Sequence, residues 1–501
     1  MNKRMIAYMQ GILMVCEAGL LLLPLITAFI YGESGTIPAF LFTMALLCII
    51  GLILIKLKPQ DKTIYARDGL VIVALGWILL SLFGSLPYYI SGEIPSFIDA
   101  LFESVSGLTT TGSSILSDIE GLSKSLLFWR NLTNWIGGMG VLVFVMAVLP
   151  LTGGGGDLHL MKAEAPGPSV GKLVPKSNRT ARILYLIYFA LTVLCAVFLL
   201  IGGMPLFDSI TTAFGTAGTG GFSIYNAGIA QCTPFCQTVI AIFMALFGIN
   251  FNIYFLILMR RVKDALKSEE LWIYIGIIIV SVAVITANIS NQFASIGEAF
   301  HHASFQVSSL MTSTGFSTID FNQWPELSRT ILLMIMCIGA CAGSTGGGFK
   351  VSRVILLVKY AAKEIRSISH PRSIRVLKFE GSRVKDETIR GTMAYFIVYV
   401  AILCLSIVLV SFDKTDMTTN ITSVISTLNN MGPNLGPRLV EGATAGYGAG
   451  GPFSNFGTFS NLSKIVFILD MLFGRLEFFP LIVLLTPPKS LRHKIANRKR
   501  L

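Results

Sequence analysis

Four short polar loops, each closing on a glycine and each carried by an otherwise apolar chain, are the strongest constraint this sequence offers. They are Thr109-Thr110-Thr111-Gly112-Ser113, Thr219-Gly220-Gly221-Phe222, Ser313-Thr314-Gly315-Phe316 and Asn430-Met431-Gly432-Pro433. Each follows a segment too short to cross a bilayer, at residues 96–108, 205–217, 297–311 and 417–429. Lipid cannot hydrogen-bond exposed backbone, so a loop at that depth survives only where it lines a water-filled path or is buried in protein. The four glycines recur at intervals of 109, 94 and 117 residues. Four copies of one unit, each ending in a glycine loop, place four loops about one axis.

The rest of the chain reads as a polytopic membrane protein. Of 501 residues, 53% are hydrophobic and 13% charged, where soluble domains carry ~25% charged residues. A spanning helix takes ~20 apolar residues. Such runs fall at 5–31, 36–56, 69–91, 126–150, 182–203, 236–259, 271–293, 327–357, 391–412 and 463–486, which predicts ten spans. Met1-Asn2-Lys3-Arg4 leads into the first run without a small-residue cleavage site, so this run reads as a span and not a removable signal. After the first two spans the order is span, short helix, loop, span, four times over. The expected fold is all-α and polytopic, with two extra N-terminal helices and four helix–pore-helix–helix repeats around a pseudo-fourfold central pore. The expected division is 1–62 for the N-terminal hairpin and 63–165, 166–265, 266–375 and 376–501 for pore repeats 1 to 4, the third with a broken second helix.

Charge sets the topology. With the N-terminus inside, segments 3–4, 56–67, 162–182, 260–267, 350–390 and 489–500 hold 32 of the 39 Lys and Arg residues, as the positive-inside rule requires. Both termini are then cytoplasmic, and all four glycine loops enter from outside. The net charge of +12 lies in loops, which argues against a nucleic-acid partner. The basic stretch 358–390 exceeds what topology needs and is a candidate docking site for a cytoplasmic partner. Six of the eight cysteines sit in apolar runs as core residues. Cys232 and Cys236 flank Thr-Pro-Phe in an outer loop, where a disulfide is one option.

Asp99, Asp208, His302 and Thr419 each stand 13 residues before a loop glycine, where the short helices are expected to begin. They read as N-caps, or, for the acids, as groups that gather cations at an inlet. His301 and His302 are adjacent, and adjacent helical residues do not face each other, so they read as core or capping residues and not as a metal pair.

Short helices entering from outside aim their C-terminal ends at the membrane centre, and each end carries roughly half a negative charge. The candidate cation-binding residues are therefore Thr110, Thr111, Gly112, Thr219, Gly220, Gly221, Ser313, Thr314, Gly315, Asn430, Met431 and Gly432. Glycine suits loops whose carbonyls must turn inward through backbone angles closed to other residues. A ring of carbonyls replaces the hydration shell of a potassium-like cation. No carboxylate lies in these loops, which argues against an acidic, divalent-selective ring.

Two further features fall below the loops. Gly343, Ser344, Thr345, Gly346, Gly347 and Gly348, followed by Phe349 and Lys350, interrupt the run 327–357 near its middle. Glycine costs ~1 kcal/mol per residue in a helix, so the helix should break there and form a hinge or gating loop. Gly343 and Gly348 have the spacing of a phosphate-binding loop, but Phe349 stands before the lysine, which excludes that motif. Arg475 lies ten residues from either end of the apolar run 465–485, which also holds Asp470 and Glu477. A charge near the bilayer centre costs ~3 kcal/mol or more and is a functional residue by default. It is either a positive barrier inside the filter or half of an ion pair with Asp470 or Glu477.

These residues resemble the Trk/Ktr/HKT superfamily of potassium-translocating proteins, and within it the Trk-type membrane subunit. The likeness is carried by Ser106–Gly112, Thr219–Ser223, Met311–Ser317 and Leu428–Gly436, with Gly343–Lys350 and Gly474–Glu477. It covers essentially the whole chain, and the N-terminal hairpin is similar to the Trk type and not to the shorter Ktr type. The resemblance implies potassium as the transported ion, with Gly112, Gly221, Gly315 and Gly432 as the filter glycines. It implies that residues 343–348 form the intramembrane gating loop, with Lys350 beside it, and that Arg475 is the barrier. It further implies a homodimer in a bacterial inner membrane, a cytosolic nucleotide-binding regulatory ring of the RCK/KTN type, and no covalently bound cofactor. The fourth loop lacks hydroxyls and carries Met431, so fourfold symmetry is approximate.

Two rival readings remain at this stage. A proton- or sodium-coupled cation symporter also uses half-helices and midplane sites, though two-span repeats keep one orientation, which suits a pore. A membrane-embedded enzyme would need clustered His, Asp or Glu, and His159, His301, His302, His370 and His493 form no such motif.

Overall fold

A computed structural model describes residues 2–61, 64–140, 178–370, 376–413, 415–437 and 450–486. The last ten residues of the expected span 126–150 lie outside these residues. So do the basic segments 162–177 and 489–500, Lys414, Arg438, and the expected boundaries at 62/63, 165/166 and 375/376. The chain is a multi-pass helical membrane protein. Its only strands among the described residues are the two-residue pair Lys378–Phe379 and Ser382–Arg383.

Six helices are long and apolar enough to cross a membrane: Lys3–Tyr31, Ile37–Lys56, Ala66–Ile90, Ala181–Ile201, Glu269–Gln292 and Asp386–Val410. They match six of the ten expected runs. The exposed faces are apolar, as lipid requires, with Ile30, Ile201 and Ile279 among the outward side chains. The N-terminal hairpin closes on a glycine seam. A methyl group on Gly11 would stand 2.7 Å from the Gly51 carbonyl oxygen, and one on Gly51 would stand 2.8 Å from Val15. Small residues allow this approach where no hydrophobic effect drives helices together. The hairpin is tied to the next unit by Glu33. Its carboxylate accepts from the backbone N–H groups of Lys124 and Ser125 at 2.5 and 3.0 Å, an anion on a helix N-terminus.

Four short helices sit where the sequence placed them: Phe97–Leu108, Leu206–Gly218, Ile296–Met311 and Met417–Leu428. They begin two, two, six and two residues before Asp99, Asp208, His302 and Thr419, so those residues are not the N-caps. Ser96, Ser295 and Asp416 cap instead, accepting from Asp99, Glu298 and Thr419 N–H, while Pro205 opens the second without a side-chain bond. A cap belongs at the residue that leaves extended backbone, and each of these serines lies at the end of an extended approach.

The four remaining runs depart from simple spans. Residues 234–258 bend by 88° between Pro234–Phe247 and Phe251–Leu258. Glu326–Ile338 and Val351–Ser369 are separated by the glycine loop, the one break the sequence predicted. Asn461–Arg475 and Phe479–Leu485 are separated by Glu477 and Phe478 at φ 53° and 65°. Lys124–Met139 ends at Gly140, φ 82°. The second helix of every repeat therefore stops or breaks after passing a glycine loop.

Candidate functional site

Each short helix ends in the same backbone turn. The residue two before the loop glycine is left-handed: Thr110, Thr219, Ser313 and Asn430, with φ between 53° and 60°. Its N–H bonds back to Gly107, Thr216, Leu310 and Thr427, and the next N–H, of Thr111, Gly220, Thr314 and Met431, bonds to Ser106, Gly215, Ser309 and Ser426. This is a helix C-terminal motif with a left-handed residue just past the cap. It is costly for Thr, Ser and Asn, and it occurs four times in register. Ser106 and Ser309 then donate to the carbonyls of Ser113 and Phe316, both at 2.6 Å. Ser426 donates to Met431, and Gly215 has no side chain to do so.

The loops close into a ring through the glycines. A methyl group on Gly112 would collide with the Gly220 carbonyl oxygen, and one on Gly221 with the Thr314 oxygen. One on Gly315 would stand 3.0 Å from Gly432 N, and one on Gly432 would stand 3.0 Å from the Gly112 oxygen. Each glycine thus faces the next loop, first to second to third to fourth and back to first. Gly112, Gly221 and Gly315 also have positive φ, of 79°, 60° and 87°. Cross-links reinforce the join of first and fourth loops: Asn430 donates to Thr111 Oγ1 at 3.1 Å, and Ser113 to the Gly432 carbonyl at 3.1 Å.

Two buried arginines hold the strands that leave the ring. Arg130 donates to Glu103 at 2.5 Å and to the Ser223 carbonyl at 2.7 Å, and its guanidinium lies 3.6 Å over Phe222. Glu103 also accepts from Ser114 Oγ at 3.0 Å and Ile115 N–H at 3.1 Å. Arg329 does the same between the third and fourth loops, donating to the Gly436 carbonyl at 2.6 Å and Asn322 at 3.2 Å. Sequence reasoning missed both, because it read an arginine outside the inner loops as an exception to topology. The available signal was a charge inside an apolar run.

The expected inlet acids are engaged elsewhere. Asp99 pairs with Lys464 at 2.6 Å, and Asp208 accepts from the Tyr225 hydroxyl at 2.5 Å. His301 bonds Gln237 at 2.8 Å and His302 bonds Thr318 at 3.0 Å, so each ring has a separate partner. All eight cysteines are free thiols. Burial pushes the Cys232 thiol up to about 11, with Cys236 adding to the rise.

Beneath the ring lies residues 339–350. Gly347 N–H donates to Ser313 Oγ at 2.5 Å and Gly348 N–H to the Asn429 carbonyl at 2.9 Å. Gly346 packs on the Thr312 carbonyl, where a methyl group would stand at 2.8 Å. Thr345 donates to the Phe247 carbonyl at 3.2 Å, and Ser344 to Cys341 at 2.7 Å. Gly343 (φ 73°) accepts from Phe251 N–H at 2.9 Å, and Lys350 donates to the Gly346 carbonyl. Arg475 reaches the same level. It donates to the carbonyls of Gly137, Gly138 (2.9 Å) and Thr345 (3.2 Å) and to the Thr110 hydroxyl at 3.4 Å. Its guanidinium thereby joins the first glycine loop, the end of Lys124–Met139 and the loop 339–350. Glu477 pairs with Arg353, and Asp470 accepts from Ser406 at 2.7 Å.

A ring of inward-turned helix ends, with a cationic side chain and a loop below, defines a cation-translocating membrane protein. The profile of the TrkH family, described as a cation transport protein, matches residues 37–272 and 266–493. The chain belongs to that family. It is 36% identical over 495 residues to the Trk system potassium uptake protein TrkH of Salmonella typhimurium (strain LT2), covering 97% of this chain and 99% of that one. It is 33% identical to the Trk system potassium uptake protein TrkG of Escherichia coli (strain K12), covering 96% and 98%. Its structure matches the crystal structure of the potassium transporter TrkH from Vibrio parahaemolyticus with a TM-score of 0.84 at 32% identity, over 97% of this chain and 99% of that one.

Proposed function

We propose that this protein takes up potassium across the bacterial inner membrane, through a selectivity filter made by the four glycine loops. The observation that carries the reading is the closed ring, in which each filter glycine abuts the next loop. The relatives named as potassium uptake proteins support the choice of ion, and support transport over enzyme chemistry. Four helix C-terminal ends supply partial negative charge. Carbonyls of Thr110–Gly112, Thr219–Gly221, Ser313–Gly315 and Asn430–Gly432 replace the hydration shell of the ion. No bound cofactor enters this scheme; the potassium ion is cargo.

Residues 343–348, with Lys350, and Arg475 form the gate below the filter. The guanidinium places a positive charge under the filter, and the loop fills the path beside it. Opening requires Arg475 to leave the Gly137, Gly138 and Thr345 carbonyls. Under this reading the units are 1–62, 63–165, 166–265, 266–375 and 376–501, both termini are cytoplasmic, and the protein is a homodimer controlled by a cytosolic nucleotide-binding ring. Growth rescue tests the function. A strain lacking potassium uptake should grow at limiting potassium when it expresses this chain, and no growth by a membrane-inserted chain contradicts the proposal.

A further inference from the structure

One carboxylate touches both ends of the intramembrane loop. Glu270, in the first turn of Glu269–Ile289, is 4% exposed. Its Oε1 accepts from the backbone N–H of Ala342 at 2.7 Å and of Ser352 at 3.1 Å. Ala342 lies near the opening of the loop at Gly339, and Ser352 lies in the first turn of Val351–Ser369, which follows it. The first N–H groups of a helix have no partner within it. The N-cap here, Lys350, makes no side-chain cap bond. Glu270 supplies an acceptor from another helix, in the position where negative charge is favoured.

A second carboxylate connects Glu270 to the inner face. Glu380 stands at the turn of the strand pair 378–383 with φ 49°. Its Oε1 accepts from Ser268 Oγ at 3.0 Å and from the N–H of Glu270 itself at 3.0 Å. Ser268 is the N-cap of the helix that carries Glu270, accepting from Leu271 N–H at 3.3 Å. Lys359, on the helix after the loop, pairs with Glu269 and donates to the Lys378 carbonyl at 3.0 Å. Leu377, Phe379 and Val384 bury the ribbon against the core of the third repeat. Ribbon, helix start and loop are thus one continuous chain of bonds.

We propose that Glu270 is a positioning residue that latches both ends of the intramembrane loop beneath the filter, and that the 378–383 ribbon sets this latch through Glu380. The inference rests on the reading of residues 343–348 as a gate and adds what holds that gate shut. A partner that pulls on the ribbon moves Glu380, frees the start of the Glu270 helix and slackens both anchor points at once. No other side chain among the described residues bonds to backbone N–H groups on both sides of the glycine run.

The test uses the full chain in liposomes, with two readouts: rubidium flux, and labelling of Cys341 by a thiol reagent followed by mass spectrometry. Cys341 adjoins Ala342 and is fully buried. Glu270→Ala removes two bonds to a charged acceptor and should raise flux about tenfold, with faster Cys341 labelling. Glu270→Gln keeps a carbonyl oxygen and should fall between wild type and Glu270→Ala in both, which serves if the alanine variant fails to fold. Glu380→Ala should raise both readouts about threefold. Arg475→Ala is the control for the gate. If it raises flux while folded Glu270 variants leave flux and labelling unchanged, the latch is overturned and the gate reading stands. If Cys341 labelling rises in Glu270→Ala while flux is unchanged there and in Arg475→Ala, the gate reading is overturned. Unchanged labelling in Glu380→Ala overturns the role of the ribbon.

Discussion

The ring of glycine loops and the loop beneath it are made of the same small and hydroxylated residues, but they are held in opposite ways. Each of the four glycine loops is fixed to its own helix by the same pair of backbone bonds and packs its glycine tightly against the next loop. Arg130 and Arg329 then brace the strands that leave it. The intramembrane loop has no repeated motif. It is held by contacts that do not repeat from one position to the next: to Ser313, Asn429, Phe247, Phe251, Glu270 and Arg475. A geometry fixed by many redundant bonds is stiff. A loop fixed by unrepeated contacts can be released by losing a few of them, as the proposed gate requires.

Four substitutions test that contrast, in falling order of effect. Glu103→Ala leaves Arg130 buried beside an empty partner site, and breaking a buried pair costs ~3–5 kcal/mol. A large drop in melting temperature in detergent is expected, against little change for Arg475→Ala. Equal drops would erase the distinction between brace and gate. Gly112→Ser puts a side chain at φ 79° and against the Gly220 carbonyl. Potassium preference over sodium should fall roughly tenfold, equivalent to ~1.4 kcal/mol, as read by competing uptake; an unchanged ratio removes Gly112 from the filter. Arg475→Ala should raise rubidium flux several-fold while the selectivity ratio holds, since the paired backbone bonds, the glycine contacts and the two arginine braces of the ring remain without it. A changed ratio would show the two regions to be coupled. Asp99→Asn weakens a pair whose acid is partly exposed, worth at most ~1 kcal/mol. Melting should shift slightly and flux not at all; a flux change would restore the inlet-acid reading.

The ring was legible in the sequence because its cause is local. A loop closing on glycine after a short apolar helix stands out in an apolar chain, and four copies made the symmetry visible. The loop beneath the ring was half legible: glycines forecast the break in the run 327–357, and an isolated charge marked Arg475. The 88° bend after Phe247 and the break at Glu477–Phe478 carry no glycine run. At both breaks a glycine packs against the end of a short helix, Gly248 on Thr312 and Gly474 on Leu428, a contact between segments distant in sequence. Glu270 and Glu380 were invisible for the same reason, since their partners lie 72 and 110 residues away.

The most direct test of the central claim is uptake of potassium, rubidium and sodium into liposomes holding the purified protein, with and without a pH gradient. The four-loop filter predicts potassium and rubidium uptake well above sodium, lost in Gly221→Ser as in Gly112→Ser. Sodium uptake equal to potassium, or no potassium and rubidium uptake at all, would contradict it.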